Sequence, residues 1–220
     1  MQTFNQMQIF LKKIITVSLV SFIVIQMICV FFEPLLAVAA TATDPVVVTL
    51  NVDSGLGITS PSDVTMAPNL GISSNGSIGT STWNVKTTST TGFNFFLKAS
   101  ASPAMVSGAN SFADYTETSA GVPEVWSVSS GAKEFGFSAY GADVTTGTWG
   151  TGAGCGSAGA PLGTMKYVGF KTIDKNVATT STVTLPAGSD INVCYAAQQN
   201  TVYAPSGVYT ATITATATTL

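Results

Sequence analysis

Histidine and arginine are both missing from this 220-residue chain: there is no histidine, and all eight basic residues are lysines. Without imidazole there is no Ser-His-Asp or Cys-His nucleophile, no histidine metal ligand and no histidine general base. Without guanidinium there is no bidentate fork for phosphate or carboxylate. Charge of either sign is scarce, at 9% of residues against roughly 25% in an ordinary soluble domain. The net charge of −3 argues against a nucleic-acid partner, which needs a basic footprint. Cysteine is limited to Cys29, Cys155 and Cys194. No tetrahedral metal set follows from two cysteines in the body of the chain and no histidine, so neither metal nor cofactor is expected.

What is present begins with an export signal. Lys12 and Lys13 precede an apolar run, 14–32, broken only by Ser, Thr and Gln26. Glu33-Pro34 then breaks the helix, and Ala37-Val38-Ala39 offers a small-x-small cleavage site before Ala40. Residues 1–39 therefore read as a secretory signal peptide cut between Ala39 and Ala40. The run is also near the length that spans a bilayer, so the rival reading is an uncleaved membrane anchor with the lysines inside. Either way the rest of the chain is expected outside the cytoplasm, secreted or at the cell surface. Cys29 lies within the run, without the small residue that precedes a lipidated cysteine.

From residue 40 onward Thr and Ser dominate, glycine is frequent, and no segment carries a 3.6-residue apolar period. Short β-prone runs alternate with Gly, Pro, Ser and Asn breaks. Strands are expected at 46–52, 63–66, 79–87, 93–100, 124–128, 134–140, 164–172, 180–185, 191–197 and 208–218. The cadence predicts an all-β fold: a single antiparallel Greek-key or jelly-roll β-sandwich over 40–220. Two strands declare their faces. Tyr209, Ala211, Ile213, Ala215 and Ala217 alternate with a ladder of threonines, which predicts one face on the core and one in water. In 79–87, Trp83 and Val85 share a face expected to point inward.

The stretch 147–163 is too rich in glycine for a strand interior and reads as a long surface loop. In an exported chain Cys155 and Cys194 are expected to pair, tying this loop to the sheet. The bridge closes a loop of about 40 residues and stabilises by roughly 3–4 kcal/mol on the chain-entropy account. Trp149, in that loop, is the candidate for an exposed ligand contact, because flat aromatic rings stack on the apolar faces of sugars. Trp83 and Trp126 lie in alternating strands and belong to the core. Glu117, Glu124 and Glu134 read as solvating groups dispersed over separate turns, not as a catalytic pair. Gly-x-Gly patterns at 150–156 lack the lysine and strand-to-helix setting of a phosphate loop. Asp53-Ser54-Gly55 and Asp174-Lys175-Asn176 are explained by turns and lack the spaced carboxylates of a calcium loop. Leu185-Pro186-Ala187-Gly188-Ser189 is internal and lacks the tail of a sortase signal, so attachment through that route is not expected.

The hairpin from Trp83-Asn84-Val85-Lys86 through Gly92-Phe93-Asn94-Phe95-Phe96-Leu97 resembles the strand–Gly–aromatic–strand unit of WxL-type surface proteins of bacterial cell walls. Pro205-Ser206-Gly207-Val208-Tyr209-Thr210-Ala211-Thr212-Ile213 resembles their closing strand. The Trp-x-Leu signature itself is absent, Phe93 or Phe95 standing where the first tryptophan would be. The resemblance implies a β-sandwich displayed on a bacterial envelope and carries over no binding residue.

These readings converge on a non-enzymatic, exported structural or adhesion protein of the bacterial envelope. Its expected partners are an envelope polymer or other surface proteins, itself included, and the membrane only through an uncleaved N-terminal segment. Two alternatives stand beside it. One is a fibre subunit that lends 46–52 to a neighbour's sheet edge. The other is a carbohydrate-binding module built around Trp149 and nearby tyrosines.

Overall fold

In a computed structural model of the chain, residues 2–31 and 47–220 are described. The chain divides into two units, Met1–Leu50 and Asn51–Leu220. In the first, α1 (Gln2–Phe31) is a 30-residue helix. Its stretch Gln6–Ile28 is long and apolar enough to cross a membrane by length and composition. At 1.5 Å per residue it spans about 35 Å, against roughly 30 Å for a hydrocarbon core. A signal peptide satisfies the same test, so the helix fits either reading of the N-terminus. The expected cleavage site at Ala39 and Ala40 lies outside the described residues.

The second unit is all-β and sandwich-like. Its larger sheet runs in the order β1 (Leu56–Thr59), β2 (Gly76–Thr87), β12 (Ser189–Gln199), β7 (Lys133–Gly141), β10 (Lys166–Gly169), β6 (Glu124–Val125). The hairpin of β4 (Met105–Ser107) and β5 (Asn110–Asp114) joins it through β5, which lies parallel to β7; the other pairings are antiparallel. The smaller sheet is β11 (Lys175–Thr180), β3 (Phe93–Ala99), β13 (Ile213–Thr219). A one-turn helix, α2 (Thr146–Trp149), and a hairpin of β8 (Gly156–Ser157) and β9 (Ala160–Pro161) lie in the glycine-rich stretch.

The core lies where the inner faces of the two sheets meet. On β3, Phe93, Phe95, Leu97 and Ala99 are buried while Asn94, Phe96 and Lys98 are half-exposed, a period of two that indicates one face on the core. Opposite them stand Trp83 and Val85 of β2, Phe135, Phe137 and Ala139 of β7, and Ile191 and Val193 of β12. Each fully buried Phe, Leu, Ile or Val contributes roughly 1.5–3 kcal/mol relative to exposure. β7 is buried on both faces, because a second cluster covers the outer face of the large sheet. Gly136 makes that covering possible. A Cβ there would stand 2.9 Å from Tyr115 Cβ and 3.0 Å from the Trp126 ring.

The last strand begins at Ile213 and not at 208, with only an isolated bridge from Thr210 to Val106 before it, but its expected inward face stands. Tyr209, Ala211, Ile213, Ala215 and Ala217 pack against the core, and Thr210, Thr212 and Thr214 are exposed. The apolar residues of this strand remain only half-buried, unlike those of β3. Other expectations need correction. Residues 47–52 form no strand and are exposed, without the burial that would fix a pairing register, and position 46 lies outside the described residues. The edge strand forms instead at β1, where Leu56 faces Thr87 and Ile58 faces Val85. Residues 63–66 form an extended strap without ladder pairing; only Ala67, just beyond, bridges to Ile78. The strand expected at 180–185 lies at β11, where Val177 and Ala178 are buried, whereas Val183 and Leu185 are exposed. β-Propensity alone does not distinguish the two runs; burial does.

Candidate functional site

The three sequence candidates in the β domain fall on opposite faces of the large sheet, the disulfide on the outer face and Trp149 in the core beneath the inner one, and none forms an exposed site. Cys155 and Cys194 form a disulfide with Cα atoms 5.2 Å apart. Cys194 is in the middle of β12, on the outer face, fully buried. The bridge clamps the glycine-rich stretch over that face together with Met165, Tyr167, Tyr115 and Ala196. The Thr80 hydroxyl donates to Cys155 Sγ at 2.9 Å, and Tyr167 Oη donates to the Cys155 carbonyl at 3.3 Å. The stretch is thus not the featureless surface loop expected, but a helical turn and a tight hairpin.

Trp149 is a correction. It is 1% exposed, with its ring centroid 5.4 Å from that of Phe137 and Lys175 Nζ 5.9 Å from its own. Gly150, at φ +94°, turns the chain back to bridge Met165 and drops the indole into the core. It cannot serve as a surface contact for a ligand. Nor are the glutamates solvating groups. Glu117 is buried and accepts from Gly169 N at 2.6 Å and Gly121 N at 3.1 Å. Glu124 accepts from Tyr115 Oη at 3.3 Å and from Thr118 N at 3.0 Å. Burial raises the pKa of Glu134, and the neighbouring Glu117 charge raises it further. Burial, with the charges of Glu124 and Glu134 beside it, pushes Tyr115 up to about 12. These carboxylates serve backbone N–H groups and a phenol, which gives them structural roles. Among the described residues no group of three or more His, Cys, Asp or Glu is placed to hold a metal ion.

The structure also holds a candidate site that sequence reasoning missed. A cleft of about 310 Å³ opens between the sheets, where the strap 60–64 passes beside the half-buried end of the last strand. Ser60 to Val64 form one wall, Ala211 and Ile213 another, and Ser81, Trp83, Phe135 and Tyr195 the floor. Gly79 positions the strap: a Cβ there would come within 2.7 Å of Val64 Cγ1. On the floor, the Ser81 and Tyr195 hydroxyls share a hydrogen bond of 2.9 Å. Burial raises the Tyr195 pKa, while hydrogen bonding from Ser81 and from the Trp83 indole pulls it partly back. The phenol is therefore neutral at physiological pH. Trp83 is 9% exposed, and its buried Nε1–H has the Tyr195 hydroxyl as its neighbour, outside ideal hydrogen-bond geometry. Asp63, exposed, is the one charged side chain in the lining. The signal in the sequence was the polar run Ser77, Ser81 on the inward face of β2, one register with Trp83, which an ordinary core strand would fill with apolar residues.

No protein-family model, curated protein or solved structure matches this chain.

Proposed function

We propose that the chain is exported and that its β domain serves as a non-enzymatic structural or adhesion module of a bacterial envelope. The observation that carries this reading is the pairing of Cys155 with Cys194 in a chain that opens with an apolar helix. Disulfides persist in oxidising compartments outside the cytoplasm. A sandwich-like domain locked on its outer face and poor in charge suits a durable surface module. Its partners would be an envelope polymer or other surface proteins. Fractionation of expressing cells, with N-terminal sequencing of the product, tests the reading. The protein is expected in the medium or envelope fraction, starting near Ala40 or retaining α1 in the membrane. Recovery in the cytoplasm with Cys155 and Cys194 as free thiols would overturn it.

One observation favours a second reading, the fibre subunit. Val48, Leu50 and Val52 alternate with Val47, Thr49 and Asn51, and all four apolar side chains are at least 76% exposed. An extended segment of this pattern can add to the sheet edge of a neighbouring copy. Concentration-dependent filaments that disappear in the Leu50→Asp variant would support it.

A further inference from the structure

We infer that the cleft between the strap and the last strand is a binding site for a small uncharged hydroxylated ligand with one apolar face, the chemistry of a single sugar ring. The inference goes beyond the envelope role, and it holds or fails whichever partner that role has.

Three features meet in this cleft. The first is its size: about 310 Å³ lies at the lower end of small-molecule sites. The second is incomplete packing. Ala211 and Ile213 keep the alternation of a core-facing strand but stay half-buried, because the space beneath them is empty of protein. A sandwich built only for stability would fill it, since interiors pack at crystal-like density. The third is a polar pair set into an otherwise apolar floor: the Ser81 and Tyr195 hydroxyls, which share one hydrogen bond of 2.9 Å and keep further donor and acceptor capacity for a ligand oxygen.

The distribution of groups selects the ligand. Trp83, Phe135, Ala211 and Ile213 supply an apolar surface against which the C–H face of a ring packs. Ser81 and Tyr195 supply hydroxyls that both donate and accept, as ring hydroxyls do. No lysine lines the cleft, and Asp63 is its only ionised group, so phosphate, sulfate and carboxylate ligands are disfavoured. Asp63 accepts from a hydroxyl or from the ammonium of an amino sugar.

The test is saturation-transfer NMR and tryptophan fluorescence on the intact exported protein. The probes are glucose, galactose, N-acetylglucosamine, glucosamine and glucuronic acid. A neutral or amino sugar is expected to bind with a Kd on the order of millimolar. Glucuronic acid is expected to bind at least tenfold more weakly. Tyr195→Phe keeps the ring and deletes only the hydroxyl; it is expected to weaken binding at least fivefold with the domain still folded. Should Tyr195→Phe unfold, Ser81→Ala is read instead, with the same loss expected. Asp174→Asn, outside the lining, is expected to bind as wild type. No binding by any of the five sugars, equal binding by glucuronic acid, or binding untouched in both floor variants would overturn the inference.

Discussion

Ile213 and Thr212 are neighbours in the chain and opposites in environment. Ile213 packs on the core beside the cleft, while Thr212 is exposed. Period two makes the difference, and a slip of one residue would invert it. Ile213→Asp is expected to destabilise the domain by roughly 2–3 kcal/mol, the range for setting an unpaired polar group against apolar neighbours. Thr212→Asp is expected to change stability by no more than about 0.5 kcal/mol. Urea unfolding of the two variants checks the contrast, and equal losses would mean that both faces of this strand are covered. Glu134 gives a second test at this scale. Its folded pKa is raised above the ordinary 4.5 chiefly by burial, against a hydrogen bond from the Thr116 backbone and with a smaller push from the Glu117 charge. A carboxyl so placed contributes stability that is fully present below the unfolded pKa and lost as pH rises through the folded one. Glu134→Gln abolishes that titration. Relative to wild type, the variant is therefore expected to gain stability between pH 4 and pH 7, read from denaturant midpoints at both values.

At the scale of elements, the disulfide decides the state of the glycine-rich stretch. Gly150, Gly156 and Gly159 all hold positive φ, and Ala158 does too, so this backbone would sample many other conformations if released. It is held by Cys155 to the centre of β12 and by the burial of Trp149 and Met165. Cys194→Ser is expected to lower stability by roughly 3–4 kcal/mol on the chain-entropy account and to speed proteolysis within 150–163. Digestion of that stretch at the wild-type rate would show that Trp149 and Met165 hold it unaided. The pairing was legible from the two cysteines that remain beyond the N-terminal apolar run. The burial of Trp149 was not, because a tryptophan among glycines reads as exposed until a positive-φ glycine is seen to fold it inward. The same limit hid the helical turn and the two-residue hairpin, whose lengths are too short to carry any periodicity.

For the whole molecule, the boundary between the two units falls at Leu50 and Asn51. Hydrogen bonds to the β domain begin at Asp53, whose carbonyl accepts from the Thr88 hydroxyl at 3.0 Å, and continue at Gly55, whose N–H donates to it at 2.7 Å. Limited proteolysis is expected to cut between 47 and 52 and to leave a resistant fragment ending at Leu220, identified by intact mass. Early cuts inside 76–199 would contradict a domain held by the β2–β12–β7 ladder. The all-β class, the inward face of the last strand, the apolar helix and the cysteine pair all followed from the sequence alone. Each rests on a feature that is plain in the sequence: a period of two, a run of apolar residues, or a count of two cysteines in the body of the chain. What covers the outer face of β7, where the edge strand starts, and that a cleft stays open beside Trp83 were decided only by the tertiary structure. These depend on which side chains from distant segments arrive at one place, as Gly136 meets Tyr115 and Trp126 and Gly79 meets Val64. Long-range packing of that kind leaves no periodic mark on the residues that make it.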